Sequence, residues 1–166
     1  MSERAPAPGG LALVQSLVNT LDIETGADSL DTAEGRARFG LTADDLAGAR
    51  ELRESLRAVL LAHAGHPPHR AVTPLGELLA GAPLLVTVGE ADGTAALAPA
   101  DGQPLPSRVA AAVAEALVAG TWLRLKACEA ADCLWAYYDR SPAGRGRWCS
   151  MQVCGARAKM RRYRAR

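Results

Sequence analysis

The residues best suited to chemistry in this sequence are four cysteines, which form two Cys-x4-Cys pairs separated by 15 residues: Cys128, Cys133, Cys149 and Cys154. Close pairs with a hairpin-length insert are typical of a structural zinc site, because each short turn supplies two thiolates to a tetrahedral ion. Two disulfides would need an oxidising compartment, and the N-terminus lacks the basic and apolar stretches of a secretory signal. Four thiols within 27 residues and none elsewhere disfavour unrelated buried cysteines. We therefore expect one Zn²⁺, structural rather than catalytic because no ligand position is open.

A strongly basic segment follows the last cysteine. Residues 157–166 hold six Lys or Arg and no acid, which is more than a solvated helix face needs. Residues 124–166 carry eleven Lys or Arg and three Asp or Glu, whereas residues 1–123 carry eight and fifteen. Such an asymmetry is typical of a chain whose basic part meets a polyanion.

We therefore predict nucleic-acid binding, mainly through phosphates, by the basic side chains of this segment and of the preceding turn: Arg145, Arg147, Arg157, Lys159, Arg161, Arg162, Arg164 and Arg166. Arg145-Gly146-Arg147 could also enter a minor groove. In the alternative interpretation, Arg147, Arg157 or Lys159 neutralises the zinc-bound thiolates, which would account for two or three of the cations.

Three elements must position these side chains. Alternating aromatic residues predict a strand over 134–139, Ser141-Pro142-Ala143-Gly144 predicts a turn, and 147–149 is expected to return as the pairing strand. Cys154 then opens a helix over 155–166, in which we expect Met160 and Tyr163 to pack on the hairpin aromatics. The Cys128-x4-Cys133 turn (the first knuckle), the hairpin and the helix make a treble-clef-like module. Such a module is too small to fold without its metal.

The preceding residues predict a predominantly helical domain. Apolar spacing and capping residues predict helices over 11–21, from Thr42 to beyond Leu60, over 73–79 and from Ser107 to about Lys126, with a short helix or turn over 29–40. Strands are predicted over 83–88 and 94–98, joined by the Asp92-Gly93 turn. The predicted fold class is α+β: a helical domain with a small β-hairpin over residues 1–123, followed by a zinc-binding basic module over residues 124–166.

Two of these helices have predicted inward faces. In the long helix the inward stripe is Leu46, Ala49, Arg53, Leu56 and Leu60, and in the final helix it is Val109, Val113, Leu117 and Leu125. The other side of the long helix is expected to be a solvated charged face formed by Asp44, Arg50, Glu51, Glu54 and Arg57. There the Glu54–Arg57 pair would contribute only a few tenths of a kcal/mol.

Three histidines follow the long helix at a spacing of three: His63, His66 and His69. Such spacing could suit a metal, but the glycine and the two prolines between them break the helix. We therefore expect a solvated turn, favoured by the helix dipole. Because the sequence contains no glycine-rich phosphate loop after a strand and no nucleophile elbow, we also expect that the protein is not an enzyme.

Four short motifs mark the C-terminal module: Cys128-x4-Cys133, Asp139-x-Ser141, Arg147-Trp148-Cys149-Ser150-Met151 and Cys154-Gly155-Ala156-Arg157-x-Lys159. They closely resemble the CGNR zinc-finger family of bacterial proteins, whose signature is WCS-x3-CGNR-x-K. The segments Leu17-Val18-Asn19-Thr20 and Leu52-Arg53-Glu54 resemble the alanine-rich domain usually found with that finger. Ala156 stands where the family has Asn, so a helix-start hydrogen bond or a nucleic-acid contact is lost or replaced here.

The resemblance implies that the four cysteines are the zinc ligands and that the protein is a stress-related transcription regulator whose finger binds duplex DNA. The N-terminal domain would then form a homodimer or sense a signal. The alternative is a zinc-stabilised module that docks on RNA or on an acidic protein surface, without sequence-specific DNA binding. Since no apolar run reaches the roughly 18 residues of a membrane span, we expect a cytoplasmic protein.

Overall fold

Helices are the main regular elements of the N-terminal part of the molecule. The structure is a computed structural model and describes residues 5–101 and 104–165. The helices of this part are α1 (Leu11–Val18), α2 (Ala33–Ala37), α3 (Leu46–Ala62), α4 (Leu75–Leu79) and α5 (Leu105–Val118). Strands β1 (Leu84–Val88) and β2 (Ala95–Pro99) pair antiparallel between α4 and α5. None of the helices in the described ranges is long and apolar enough to cross a membrane.

The apolar faces of α1, α3 and α5 meet in the core. Val14 and Leu17 of α1, Leu56 and Leu60 of α3, and Val109 of α5 have no exposed surface. Burying a side chain of this size contributes about 1.5–3 kcal/mol to the free energy of unfolding. Helices as short as α1 are marginal in isolation, so the shared core holds them in place.

Helix α5 ends at Val118, whereas the sequence predicted that it would continue to about Lys126. Gly120 has a φ of +66°, and the amides of Gly120 and Thr121 donate to carbonyls of the last turn. This glycine cap stops the helix. Leu117 lies near the capped end and is 58% exposed, so the prediction that it faces inward was wrong.

Two predicted helix starts also differ. Helix α3 begins directly after Asp45, and the hydroxyl of Thr42 donates to the Asp45 carboxylate at 2.7 Å instead of capping the helix. Ser107 lies in the first turn of α5 and donates its hydroxyl to Asp101 at 2.9 Å. Each hydroxyl therefore contacts a nearby acid rather than an amide of the helix.

Strands of the C-terminal part pair differently from the prediction. β3 (Leu125–Ala127) and β4 (Ala136–Tyr138) form an antiparallel pair, with Lys126 opposite Tyr137. The sequence predicted that residues 134–139 pair with residues 147–149. This was wrong, because residues 147–149 follow an irregular path. The true partner of β4 was missed because residues 125–126 were assigned to the end of the preceding helix. Helix α6 (Ala156–Arg164) lies within the predicted range of 155–166.

Two polar side chains of the N-terminal part hold the β3–β4 hairpin. Asn19 follows α1, and its side-chain amide donates to the Ala136 carbonyl at 3.0 Å and accepts from the Ala136 amide at 2.7 Å. It thus replaces a neighbouring strand at the edge of β4. Arg57 of α3 donates to the Leu134 carbonyl at 2.7 Å and to the Val18 carbonyl at 2.9 Å. The hairpin is therefore fixed to both α1 and α3.

The histidines after α3 are packed rather than solvated, so the prediction of a solvated turn was wrong. The ring of His63 contacts the Leu125 carbonyl at 2.8 Å through Nδ1 and lies edge-on to Trp122. His69 contacts the Glu54 carboxylate at 2.9 Å through Nε2. Burial lowers the pKa of both imidazoles, because the charged form loses its hydration.

Helix α3 carries a buried ion network: Arg53 lies inward as predicted, but Glu54 and Arg57 were wrongly predicted on a solvated charged face. The side chains of Arg53, Glu54 and Arg57 are 5%, 6% and 0% exposed. Glu54 accepts from Arg53 at 2.7 Å and from Arg57 at 3.0 Å, and Arg53 also donates to Asp28 at 2.7 Å. Burial raises the pKa of Glu54, but the charge of Arg57 and the hydrogen bond from Arg53 outweigh burial and hold this pKa below its usual value.

Replacing Glu54 by Gln tests whether this network stabilises the fold. The substitution keeps the shape of the side chain but leaves two buried guanidinium groups without its charge. We expect the free energy of unfolding in urea to fall by about 3 kcal/mol, because an unpaired buried charge is costly. The exposed Glu90→Gln is the matched control and should change it by less than about 0.5 kcal/mol.

The pH dependence of stability gives the same test a second readout. The pKa of Glu54 is lowered in the folded state. Burial raises the pKa of Asp28, but the hydrogen bonds from Arg53 and the Leu30 amide, together with the charges of Arg53 and Arg50, outweigh burial and lower it. Their contribution is present above the unfolded pKa values, near 4, and is lost as the pH falls through the folded ones. Between pH 5 and about pH 3 the wild type should therefore lose more stability than Glu54→Gln. Equal losses would contradict the network.

Candidate metal centre

The first two cysteines lie in the turn of the β3–β4 hairpin. Cys128 follows β3 directly and its amide donates to the Trp135 carbonyl at 2.9 Å, while the Cys133 amide donates to the Ala130 carbonyl at 2.8 Å. Leu134 then has a φ of +52°, a left-handed conformation that residues other than glycine rarely adopt. The Leu134 carbonyl is the one that Arg57 contacts, so α3 fixes the backbone directly beside a cysteine.

The other two cysteines flank the turn that leads into α6. The Ser150 hydroxyl accepts from the Val153 amide at 3.3 Å, and the Ser150 carbonyl accepts from the Gly155 amide at 2.9 Å. This helical turn over Met151–Gly155 brings Cys154 back towards Cys149. The second pair therefore depends on the start of α6, as the sequence predicted.

All four sulfurs converge on one point. They lie within 4.8 Å of one another, with Cys133 and Cys149 at 3.3 Å and Cys149 and Cys154 at 3.4 Å, and all four are free thiols. In a tetrahedral site with Zn–S bonds of about 2.3 Å, the sulfurs are about 3.8 Å apart. Cys128, Cys149 and Cys154 are buried and only Cys133 is half-buried, so the donor set is closed and fits a structural zinc.

The electrostatics of the cluster also call for a cation. Hydrogen bonds from Cys133 and Cys149 lower the pKa of Cys128 to about 2, so one thiolate forms readily. A hydrogen bond between Cys133 and Cys128 raises the pKa of Cys133 to about 12. A hydrogen bond between Cys149 and Cys128 likewise raises the pKa of Cys149. Further thiolates are therefore unfavourable next to the first, unless a positive ion offsets their repulsion.

Two family models match this chain. The model described as a CGNR zinc finger matches residues 124–166. The ABATE model, described as a "Putative stress-induced transcription regulator", matches residues 11–120, which is more than half of the chain. The chain belongs to the ABATE family. No curated protein matches it.

The matches confirm the resemblance that the sequence motifs indicated. Together with the convergence of the four sulfurs, they also confirm one structural zinc in this ABATE protein. It is thus a zinc-binding protein of a regulatory family. At the position of the family's Asn, Ala156 is the exposed first residue of α6, and its methyl group has no hydrogen-bonding atom to offer.

A buried ion pair, which the sequence analysis missed, shapes the loop after β4. Lys126 lies 3.0 Å from the Asp139 carboxylate, which also accepts from the Gly146 amide at 2.7 Å and from the Ser141 hydroxyl at 2.7 Å. Burial raises the pKa of Asp139, but the bonds from Ser141, Lys126 and Gly146 outweigh it and lower this pKa. The Asp139-x-Ser141 motif was the available signal, and its role is to fold this loop back on the hairpin.

Some of the predicted nucleic-acid contacts are engaged with acids. Arg147 pairs with both carboxylate oxygens of Glu129, which also lies 3.6 Å from a ring nitrogen of His66. Two further predicted contacts, Arg157 and Arg161 of α6, also lie close to acids. Arg157 lies 3.1 Å from Glu24 and 3.8 Å from Asp132, and Arg161 lies 3.7 Å from Asp132.

The other predicted cations are exposed. Arg145, Lys159, Arg162 and Arg164 form no ion pair with any residue in 5–101 or 104–165. Arg166 lies outside the described residues. The prediction that Met160 and Tyr163 pack on the hairpin was wrong, since they are 51% and 76% exposed.

Zinc content tests the centre directly. Protein purified under reducing conditions should contain about one zinc per chain by elemental analysis. Cys154→Ser should lose the metal and the helical signal of α6, because binding supplies the folding free energy of such a module. The N-terminal helices should stay folded, since none of the four cysteines belongs to their core.

Ala131→Ser is the control, because Ala131 is exposed in the first knuckle and its replacement leaves all four sulfurs in place. It should keep its zinc. Metal-free protein with an intact α6, or a Cys154→Ser variant that still holds one tightly bound zinc, would rule out the four-sulfur centre.

Proposed function

We propose that this ABATE protein is a DNA-binding transcription regulator, in which zinc fixes α6 so that its basic side contacts the phosphates of duplex DNA. The observation that carries the proposal is the cluster of exposed cations beside the zinc centre: Arg145, Lys159 and Arg162. Like charges held together on a surface repel one another, and a polyanion relieves that repulsion while releasing its own counterions.

The two sides of α6 differ in what they can bind. At 100° per residue, Lys159 and Arg162 point away from the side that carries Arg157 and Arg161. The latter side faces Asp132, and this carboxylate would repel a phosphate. We therefore assign the main phosphate contacts to Lys159 and Arg162, with Arg145 on the preceding loop as a further contact.

The proposal extends to the protein as a whole. The protein acts in the cytoplasm, is not an enzyme, and forms a homodimer through its N-terminal part. The dimer would present two fingers to one DNA molecule.

The exposed side chains of strand β1 support the dimer, because Leu85, Val86 and Val88 are 55%, 70% and 62% exposed. Light scattering should then give twice the chain mass of 17.4 kDa.

An alternative function is docking of the finger on RNA or on an acidic protein surface. The same exposed cations favour it, so affinity alone does not separate the two functions. Comparing the affinities for duplex DNA and duplex RNA at equal salt separates DNA binding from RNA binding, because the two helices present different phosphate geometries. Tighter binding to duplex RNA would favour the alternative.

The salt dependence of DNA binding tests the assigned contacts. The logarithm of the affinity for duplex DNA should fall linearly with the logarithm of salt concentration, with a slope of about 0.9 per phosphate neutralised. The double variant Lys159→Ala/Arg162→Ala should therefore reduce the slope by about 1.8, as measured by fluorescence anisotropy between 50 and 200 mM salt.

Two control variants test whether the position of a cation, and not only its charge, determines the salt slope. Arg161→Ala removes the same charge on the acidic side of α6 and should change the slope less than Arg162→Ala. Arg38→Ala removes an exposed arginine at the end of α2 and should leave the slope unchanged. Absence of DNA binding at 50 mM salt would refute the proposal, and equal effects of Arg161→Ala and Arg162→Ala would refute the assigned side.

A further inference from the structure

A groove separates α6 from the segment before Cys149. Its volume is about 320 Å³, and its walls are Arg147, Trp148, Ala158, Lys159, Arg162 and Tyr163. Three cations and two aromatic rings thus surround one small space. Contact with the phosphates of a paired duplex accounts for the cations, but it gives the two rings no role.

Trp148 is positioned in this groove by neighbours on two sides. Its neighbour Cys149 is a zinc ligand, and a Cβ atom at Gly155 would lie only 3.3 Å from the Trp148 ring. Glycine at the start of α6 therefore lets the indole approach the helix. The Arg147 guanidinium lies over the indole at 5.4 Å from the ring centroid, and Glu129 anchors that guanidinium. Gly155 and Arg147 thus position the ring on the wall of the groove.

Tyr163 is the opposite case. It lies in the last turn of α6 and is 76% exposed, and its hydroxyl forms no hydrogen bond with any residue that the structure describes. A large aromatic side chain exposed in this way contributes nothing to the core. Tyr163 already lines the groove, so its exposed ring is available to a ligand there.

This combination matches the chemistry of a nucleotide with an unpaired base. Exposed rings provide stacking platforms for bases that have left a duplex, and cations beside them bind the flanking phosphates. A volume of about 320 Å³ is at the lower end of the range for ligand pockets, so it suits a single nucleotide.

We infer that this groove binds one unpaired nucleotide of a DNA strand, with its base stacked by Trp148 and Tyr163 and its phosphates held by Lys159 and Arg162. The inference rests on the proposed DNA binding and goes further, because it gives the protein a preference for sites where one base is extrahelical. Arg147 acts as a positioning residue that holds the indole.

The test uses the full-length zinc-loaded protein and two duplexes that differ by one base. One duplex is fully paired, and the other carries a single bulged 2-aminopurine, whose fluorescence is quenched when it stacks on an aromatic ring. We expect the bulged duplex to bind about tenfold more tightly, the size expected of one stacked base, with quenching of the 2-aminopurine. Tyr163→Leu should bring the ratio of the two affinities close to one.

Met160→Ala is the matched control, because Met160 is exposed on α6 and does not line the groove. It should keep the tenfold ratio. If both duplexes bind equally and the 2-aminopurine stays bright, the groove proposal fails while DNA binding stands. If neither duplex binds at 50 mM salt, the proposed function itself fails.

A final experiment compares the bulged duplex with a free nucleotide, which offers the same base and phosphate groups. The free 2-aminopurine nucleoside monophosphate should bind at least about a hundredfold more weakly than the bulged duplex, because it lacks the flanking phosphates. Equal affinity for the free nucleotide would overturn the assignment to a DNA strand.

Discussion

Four thiolates cannot share a space 4.8 Å across unless a positive ion lies between them, and this constraint determines the C-terminal part of the molecule. Cys128 and Cys133 come from the turn of the β3–β4 hairpin, and Cys149 and Cys154 come from the segment that leads directly into α6. Helix α6 itself has no buried residue, so a shared apolar core does not hold it. The metal is therefore what fixes the orientation of the basic helix, and the function proposed for its exposed cations depends on that orientation.

The zinc centre is coupled to the ABATE part through the hairpin that carries its first two ligands. Leu125, Ala127 and Ala136 of this hairpin belong to the main core, together with residues of α1 and α3. Polar contacts then fix the register: Asn19 pairs with the edge of β4, and Arg57 contacts the carbonyl beside Cys133. The acidic part and the basic finger thus share one hydrophobic core and one buried ion network.

The sequence predicted the features that depend on local spacing, and it missed those that depend on distant partners. Cysteine spacing gave the donor set, and helical periodicity located Leu56 and Leu60 in the core. Glu54 and Arg57 were placed on a solvated face, because periodicity cannot show that Leu134, 77 residues away along the chain, supplies a partner for Arg57. Strand β3 is only three residues long, and the stop signal at Gly120 was outweighed by the apolar residues that follow it.

The central claim is that one zinc ion is held by four sulfurs in this protein. Zinc K-edge X-ray absorption on the reduced, full-length protein tests it most directly, because the spectrum counts the sulfur neighbours of the metal and measures their distance. We expect four sulfur atoms at about 2.3 Å and no nitrogen or oxygen neighbour. Two or more nitrogen or oxygen ligands at about 2.0 Å would contradict it, since the ion would then lie outside the cysteine cluster.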